Sequence, residues 1–267
     1  MSDAALRERV HTRIWHESPE PDNDFAAATA LCHGYDVYGD MLGQARWVEM
    51  LFLLLRGEAP SARQAALLEA LALALANPGP RDAAVHAAMC AGVGGSTAAS
   101  ALIAALSVGA GRSGGARDVW AAMQAFEACG RSPSAWERAL AAAPAEPAGI
   151  WPAAEHPPGF EAHAARSSGI VRRTLAVLAP LSDGHCLPWL QDSREPLEQA
   201  AGRGLAMTGV AAAALVDLGF SPAQGEMLHL LLRLPGAAAH ALEQAAQGHK
   251  QFPFFALNLQ DDPGVPA

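Results

Sequence analysis

One arginine stands in a run of apolar residues, where a charge is unusual. Arg233 lies in the stretch LHLLLRLPG, residues 228–236. A buried arginine needs a partner of opposite charge, because its guanidinium keeps its proton in proteins. The sequence offers two partners, a bound carboxylate ligand or Glu243, ten residues further along the chain.

The cysteines and the glycine clusters indicate neither a metal site nor a dinucleotide site. The four cysteines (Cys32, Cys90, Cys129 and Cys186) are scattered without CxxC spacing, which is typical of free thiols in a reducing cytoplasm. The glycine clusters follow predicted helices, whereas a dinucleotide loop follows a strand. We therefore expect a cytoplasmic protein with no metal and no permanently bound cofactor.

Helices must position the chemically capable residues, because strong helix formers dominate the sequence. Hydrophobic residues make up 51% of the 267 positions, and alanine recurs in long tracts. Alanine has the highest helix propensity, and β-branched residues are sparse. The sequence predicts an all-α protein, with no set of strands that would make a sheet.

Capping signals place several helix boundaries. Gly57 is predicted to end one helix, and Ser61, Asp82 and Ser221 are predicted to cap the starts of three others. Further helices are expected over 116–129, over two pieces of 169–204 split by SDGHCLPW, and over 205–217 and 221–246. Residues 1–24 are expected to form an extended arm.

Charge and hydropathy argue against two classes of partner. The formal net charge is −9, and the densest basic stretch, 166–173, has three arginines interrupted by uncharged residues. Nucleic-acid binders normally carry a basic stripe, so no nucleic-acid partner is predicted. Residues 87–111 carry no charge over a length that could cross a bilayer, but they are mostly small. We predict a buried helix with close neighbours there and no membrane span.

Several motifs resemble, in order, those of citrate synthases and short citryl-CoA lyases. The stretch GYDVYGDMLGQARWVEMLFLLLRGEAPS, residues 34–61, resembles the family's Gly-Tyr turn, Leu-rich helix and Gly-Glu-x-Pro step. The resemblance continues at Gly114-Gly115-Ala116, at Pro158-Gly159-Phe160, in LVDLGFSP (215–222) and in RLPGAAAHALEQ (233–244). The short length of the chain favours the citryl-CoA lyase branch.

This resemblance implies a domain organisation and an assembly. A large helical domain would comprise residues 1–116 and 204–267, and a small helical domain, 117–203, would be inserted in it. The family forms homodimers with active sites in the cleft between domains, and the helix at 96–109 would suit close packing across such an interface. A small carboxylate or an acyl-CoA would be the ligand, with the coenzyme A thioester as substrate.

The family joins an acyl-CoA to a keto acid or splits the product, which requires a carboxylate base and two histidines. Where one histidine should precede Gly114-Gly115, the chain has Arg112 and Ser113. Arg112 would stabilise an enolate by its charge, or is an exposed residue at a helix end. His163 follows Pro158-Gly159-Phe160 one residue late and would replace the second histidine, or lies on the surface.

The position of the family's catalytic Asp is changed as well. The family has an Asn-Val-Asp triplet before LVDLGF, and here the chain reads Met207-Thr208-Gly209-Val210, which leaves Thr208 as the candidate. Asp217 belongs to the structural part of the pattern. Arg233 matches the arginine that holds a substrate carboxylate. His240 and Glu243 match positions that look structural, and the arginines at 166, 172 and 173 would meet coenzyme A phosphates or form a solvated face.

Three functions follow from these residues. The first is a lyase or synthase of the family with a rearranged site made of Arg112, His163, Thr208 and Arg233. The second is a non-catalytic relative that binds a carboxylate or assembles with a true family enzyme. The third is an unrelated helical scaffold, which would account for the alanine-rich helices alone.

Overall fold

Helices form most of the chain, which confirms the predicted all-α class. The computed structural model describes residues 12–141 and 156–252. The described helices are α1 (Trp47–Arg56), α2 (Ala62–Leu75), α3 (Ala83–Val93), α4 (Ala98–Gly109), α5 (Ala116–Cys129), α6 (Pro133–Ala141), α7 (Gly169–Leu178), α8 (Cys186–Ala201), α9 (Met207–Asp217) and α10 (Pro222–Gln247).

A small antiparallel sheet precedes the helices, so the prediction that no strands pair was wrong. Its strands are β1 (Trp15–Glu20), β2 (Asn23–Cys32) and β3 (Tyr35–Asp36), in the order β1-β2-β3. Glu20 pairs with Asn23 across a two-residue turn, and Trp15 pairs with Cys32. Strand β2 is rich in alanine and has low β propensity, but pairing across a tight turn outweighs that propensity.

The predicted helix caps are present. Gly57 ends α1 in the left-handed region at φ +76°. Ser61 and Ser221 each accept a hydrogen bond from the backbone N–H three residues on, and the side chain of Asp82 accepts from the first turn of α3. These bonds satisfy N–H groups that a helix start leaves without an intrahelical partner.

The chain divides into two compact units. One comprises residues 1–75 and 110–232, and the other comprises residues 76–109 and 233–267. This division differs from the one expected from the sequence, 1–116 with 204–267 around an inserted 117–203, and that domain organisation stays a prediction.

Helix α9 lies at the centre of the first unit. Residues 208–215 are buried on every side of the helix, in a core that also takes apolar side chains from α1, α2, α5, α7 and α8. A helix that is apolar all round is typical of such a central position. The core includes an edge-to-face ring pair, Phe126 and Trp136, whose centroids lie 4.9 Å apart.

Small residues pack the second unit. Its core combines side chains of three helices: Val85 and Ala88 of α3, Ala101 and Ala105 of α4, and Ala237 and Ala241 of α10. Residues 87–111, predicted to be helical and buried with close neighbours, belong to α3 and α4, which are separated at Gly94 and Gly95. Half of the residues of α4 are exposed. Within the described ranges, no helix is long and apolar enough to cross a membrane.

Candidate active site

A cavity of about 200 Å³ lies in the first unit, at the start of α5. The loop after α4 contributes Arg112 and Ser113 to its wall, and α5 contributes Arg117 and Asp118. Its remaining lining residues are Trp120, Ala121, His156 and Pro158. Two cations, a carboxylate and an imidazole therefore share one small cavity.

Asp118 is the most deeply buried charged group of this cavity, with 4% of its surface exposed. Its Oδ2 accepts a hydrogen bond of 2.6 Å from the Thr208 hydroxyl, and its Oδ1 accepts one of 3.2 Å from the Gly159 N–H. Asp118 thus joins α5 to α9 and to the loop before α7. Each carboxylate oxygen keeps a lone pair for a further proton donor.

Burial raises the pKa of Asp118, and the hydrogen bonds from Thr208 and Gly159 and the nearby charge of His156 only partly oppose this. The charge of Glu161 acts in the same direction as burial. Burial also raises the pKa of Glu161, against the charges of His156 and His163. A carboxyl whose pKa is raised in a cavity is suited to accept a proton and return it near neutral pH.

Two glycines let the loop reach α9. A Cβ on Gly159 would lie 2.9 Å from the Cα of Gly209, and a Cβ on Gly209 would lie 2.8 Å from a methyl of Leu205. The loop continues alongside the residues before α9, where the Glu161 N–H donates to Gly204 O at 2.7 Å and the Ala206 N–H to Gly159 O at 2.9 Å. This close approach carries the Gly159 N–H to Asp118.

The two arginines of the cavity differ in their contacts. The Arg117 guanidinium lies 3.6 Å from the centroid of the Trp120 ring and 3.4 Å from Glu226. Arg112 is exposed and has no hydrogen-bond or ion-pair partner within the described residues. Arg112 therefore offers the cavity a guanidinium that no protein carboxylate neutralises in this part of the chain.

The structure brings together only some of the predicted site residues. Arg112 lines the cavity, and Thr208 lies behind it, bonded to Asp118. His163 is exposed, whereas His156, seven residues earlier, is buried in the cavity wall. His156 Nδ1 lies 3.1 Å from Pro157 O, and because a carbonyl only accepts, Nδ1 carries the proton.

Arg233 belongs to the second unit, where its guanidinium pairs with the carboxylate of Asp82. The sequence offered a ligand carboxylate or Glu243 as the partner, and the pair that the structure shows is with Asp82, at the start of α3. Glu243 instead lies 3.5 Å from His240 Nδ1, one turn away on α10. This contact agrees with the structural role predicted for both residues.

Asp217 holds the start of α8, as its structural assignment predicted. It accepts hydrogen bonds from the backbone N–H groups of His185, Cys186 and Leu187 at 2.8–2.9 Å. The Ser182 hydroxyl donates to it at 2.7 Å. With these four donors Asp217 caps the start of α8, and it does not act as a base displaced from the family's position.

Solved structures of similar fold cover 96–99% of the chain. Citryl-CoA lyase from Hydrogenobacter thermophilus matches with a TM-score of 0.69 and 18% identity, over 96% of this chain and 97% of that chain. The chain has the fold of citryl-CoA lyase. ATP citrate lyase from Methanothrix soehngenii, in complex with citrate and coenzyme A, matches with a TM-score of 0.68 and 17% identity, over 99% of this chain.

The match to ATP citrate lyase covers 44% of that longer chain. An ATP citrate lyase from Methanosaeta concilii in complex with (3S)-citryl-CoA gives a TM-score of 0.65 at 17% identity, over 97% of this chain and 44% of that one. No family model matches the sequence, and no curated protein matches it. At these identities the likeness establishes the fold.

A second, larger cleft in the first unit is rich in arginine. It has a volume of about 570 Å³, and Arg166, Arg172 and Arg194 line it. Arg172 donates to Ser167 O at 2.7 Å, and Arg194 pairs with Glu195 and Glu198. Arg166 is exposed and makes no hydrogen bond or ion pair with any described residue, so it is available to an anionic ligand.

Sequence reasoning missed Asp118 and His156. Asp118 lies in the first turn of a predicted helix, directly after the Gly114-Gly115 motif, and that placement was the available signal. His156 lies two residues before Pro158, in the same loop motif as the predicted His163. Over residues 12–141 and 156–252, no three His, Cys, Asp or Glu side chains are grouped to hold a metal ion.

Proposed function

We propose that the protein forms or cleaves a carbon–carbon bond between an acyl-CoA and a keto acid, as a citryl-CoA lyase-like enzyme. The observation that carries this proposal is a small cavity with two arginines, a buried carboxylate and a histidine, on a fold shared along its whole length with citryl-CoA lyase. Cleavage and condensation of this kind require anion binding and proton transfer in one place.

The acid part of the substrate would bind in the cavity. Sites for drug-sized ligands measure about 300–1,000 Å³, so a cavity of about 200 Å³ suits a small polycarboxylate. Arg112 would pair with a substrate carboxylate in bidentate fashion, because its guanidinium has no protein partner among the described residues. Arg117, already stacked on Trp120, would present a second cation.

The coenzyme A part would bind in the arginine-rich cleft. Its phosphates are anionic, and Arg166 and Arg172 line that cleft. The segment 156–168 supports this arrangement, since it contributes His156 to the cavity and Arg166 to the cleft. The thioester would be a substrate, with no permanently bound cofactor.

We infer that the catalytic positions differ from those of the family pattern. The segment 207–210 replaces the Asn-Val-Asp triplet of that pattern, and its Thr208 hydroxyl donates a hydrogen bond to Asp118. In this proposal Arg112 stabilises the enolate by charge, and His163 acts from an exposed position in the loop before α7. For Arg233 to bind a substrate carboxylate, as the family resemblance implies, that carboxylate must replace Asp82 at the guanidinium or bind beside it.

The test is an assay of oxaloacetate, the keto acid that the proposed reaction forms from citryl-CoA or consumes with acetyl-CoA. Purified protein would be given acetyl-CoA with oxaloacetate, and citryl-CoA cleavage would be followed in parallel. Turnover in either direction is expected. A folded protein that turns over neither substrate pair would refute the proposal.

Two arginine variants separate the two parts of the substrate. Arg112→Gln is expected to raise KM for the keto acid at least tenfold, and Arg166→Gln to raise KM for the acyl-CoA to a similar degree, because each removes one charge-assisted contact. Arg173→Gln is the matched control, since Arg173 is an exposed arginine of α7 that lines neither space. Equal effects of all three would contradict the assignment.

The second candidate function is a non-catalytic carboxylate-binding or partner subunit. The observation in its favour is Thr208, because the segment that replaces the family's Asn-Val-Asp triplet has no carboxylate, and its only hydroxyl is already bonded to Asp118. This role predicts stabilisation by citrate and coenzyme A in a thermal shift assay, without formation or consumption of oxaloacetate. Any rate that Arg112→Gln reduces would count against it.

We also propose that the protein is a homodimer that uses α4. This helix exposes Ile103 and Val108, with 61% and 44% of their surfaces accessible, next to alanine and serine residues. Ile103→Lys is expected to give a monomer in light scattering, whereas Leu73→Lys, at an exposed leucine of α2, is not. An unchanged mass for Ile103→Lys would exclude this face.

A further inference from the structure

The carboxylate that the family pattern places on α9 has a counterpart on α5. Asp118 lines the cavity, and the Thr208 hydroxyl of α9 donates to its Oδ2 at 2.6 Å. The Gly159 N–H fixes Oδ1 from the loop side at 3.2 Å. One carboxylate is therefore held in a single orientation by α9 and by the loop, at the edge of the space where a small acid would bind.

We propose that Asp118 is the proton acceptor of the reaction, with Thr208 and the Gly159 N–H as the groups that position it. This inference rests on the proposed carbon–carbon bond chemistry. Thr208 itself is excluded as the base, because its proton is already donated to Asp118 and an alcohol is a weak base. Glu161 is a nearby carboxyl that does not line the cavity.

The chemical step balances with Asp118 as the only proton carrier. In condensation, Asp118 removes a proton from the carbon next to the thioester, and the electron pair of that C–H bond forms the enolate. The enolate carbon then bonds to the keto carbon, whose carbonyl electrons move to oxygen. The resulting alkoxide takes the proton back from Asp118, and cleavage is the same sequence reversed.

The charged groups around Asp118 suit both halves of this cycle. Arg112 and Arg117 lie in the same cavity wall and would offset the negative charge of the enolate and the substrate. His156 faces Asp118 from the loop and favours its ionised form, while Glu161 disfavours it. Burial raises the pKa of Asp118, so the carboxyl holds a proton more readily than an exposed aspartate does.

The test compares two carboxyl-to-amide variants. Asp118→Asn keeps the shape, an acceptor for the Gly159 N–H and a polar contact to Thr208, but it cannot take a proton. Loss of a general base lowers the rate by about 10²–10⁴-fold, so kcat is expected to fall at least 100-fold, with citrate binding by calorimetry unchanged within threefold. Glu127→Gln is the matched control, because Glu127 is an exposed carboxyl of the same helix that lines neither the cavity nor the cleft, and it is expected to change kcat less than threefold.

The pH profile supplies a readout that a purely structural role would not move. The rate should fall on the acidic side as Asp118 becomes protonated. Thr208→Val removes a hydrogen bond that favours the ionised form, so that acidic limb should move to higher pH. This variant also tests the inference if Asp118→Asn does not fold.

The outcomes separate the two proposals. If the unaltered protein turns over substrate, two results refute the role of Asp118 and leave the proposed function standing. One is a kcat for Asp118→Asn that falls less than tenfold, and the other is an acidic limb of the pH profile that Thr208→Val leaves in place. No turnover by the unaltered protein refutes the proposed function and this inference together. A 100-fold loss in Asp118→Asn with binding retained and a shifted limb in Thr208→Val supports both.

Discussion

The contribution of the hydrogen bond between Thr208 and Asp118 to the free energy of unfolding can be estimated from its surroundings. Both residues are 4% exposed, and the distance from hydroxyl to carboxylate oxygen is 2.6 Å. Thr208→Val keeps the shape of the side chain and removes the donor. A buried hydrogen bond to a charged group contributes about 1.5–3 kcal/mol, so we expect the free energy of unfolding to fall by about that amount.

The size of this loss should depend on pH. Burial raises the pKa of Asp118, so its contribution to stability is complete below the ordinary pKa of an aspartate, about 4, and declines as pH rises through the folded-state value. The Thr208 hydroxyl stabilises the ionised form and limits that decline. Without it the pKa rises further, and the loss in Thr208→Val should be larger at pH 8 than at pH 5.

Denaturant unfolding at the two pH values is the assay, and Thr174→Val is its control. Thr174 is a half-buried threonine of α7 whose hydroxyl has no hydrogen-bond partner among the described residues. That substitution should change the free energy of unfolding by less than about 0.5 kcal/mol, the usual range for sites without a special contact. If the two variants lose equal stability, or if the loss at position 208 is the same at both pH values, the reasoning about Asp118 is wrong.

Three further predictions concern packing and capping around α9. Gly209→Ala should lower the free energy of unfolding by about 1–3 kcal/mol, because its Cβ would press on Leu205 and the loop, whereas Gly169→Ala, where a Cβ meets nothing within 4 Å, should not destabilise. Burial and the charge of Asp217 raise the pKa of Cys186 to about 12. At pH 8.5, iodoacetamide should therefore label Cys186 at least 100-fold more slowly than the exposed Cys90, and comparable labelling rates would contradict this. Asp217→Asn should lower the free energy of unfolding by about 2 kcal/mol, because it weakens the cap of α8. It should also speed the labelling of Cys186, because it removes a negative charge. An unchanged denaturant unfolding curve would refute the capping role.

Local signals predicted much of the fold. Gly57, Ser61, Asp82 and Ser221 act within three residues of their own position, so their effect can be read from sequence. The order of the family-like motifs predicted the fold shared with citryl-CoA lyase. The hairpin of β1 and β2 was missed because its alanines carry no strand pattern, and the pairing depends on the turn between them.

The candidate site was less predictable, because it depends on contacts between distant parts of the chain. Asp118 meets Gly159 and Thr208, which lie 41 and 90 residues away in the sequence. The choice between His156 and His163 depends on burial, and both stand beside the same Pro-Gly-Phe motif. For Arg233, the partners considered were a ligand and Glu243 further along the chain, whereas the structure shows a pair with Asp82, 151 residues earlier.

The bonds at the two ends of α9 also bear on how the chain folds. Near its start Thr208 reaches back 90 residues to α5, and at its end Asp217 reaches back 30–35 residues to the segment before α8. Contacts of such sequence separation form slowly, because the loops between them must close first. During synthesis α5 leaves the ribosome long before α9, and until α9 arrives the carboxylate of Asp118 stays in water. The central helix is therefore expected to dock late, and its docking is the step that removes this carboxylate from solvent.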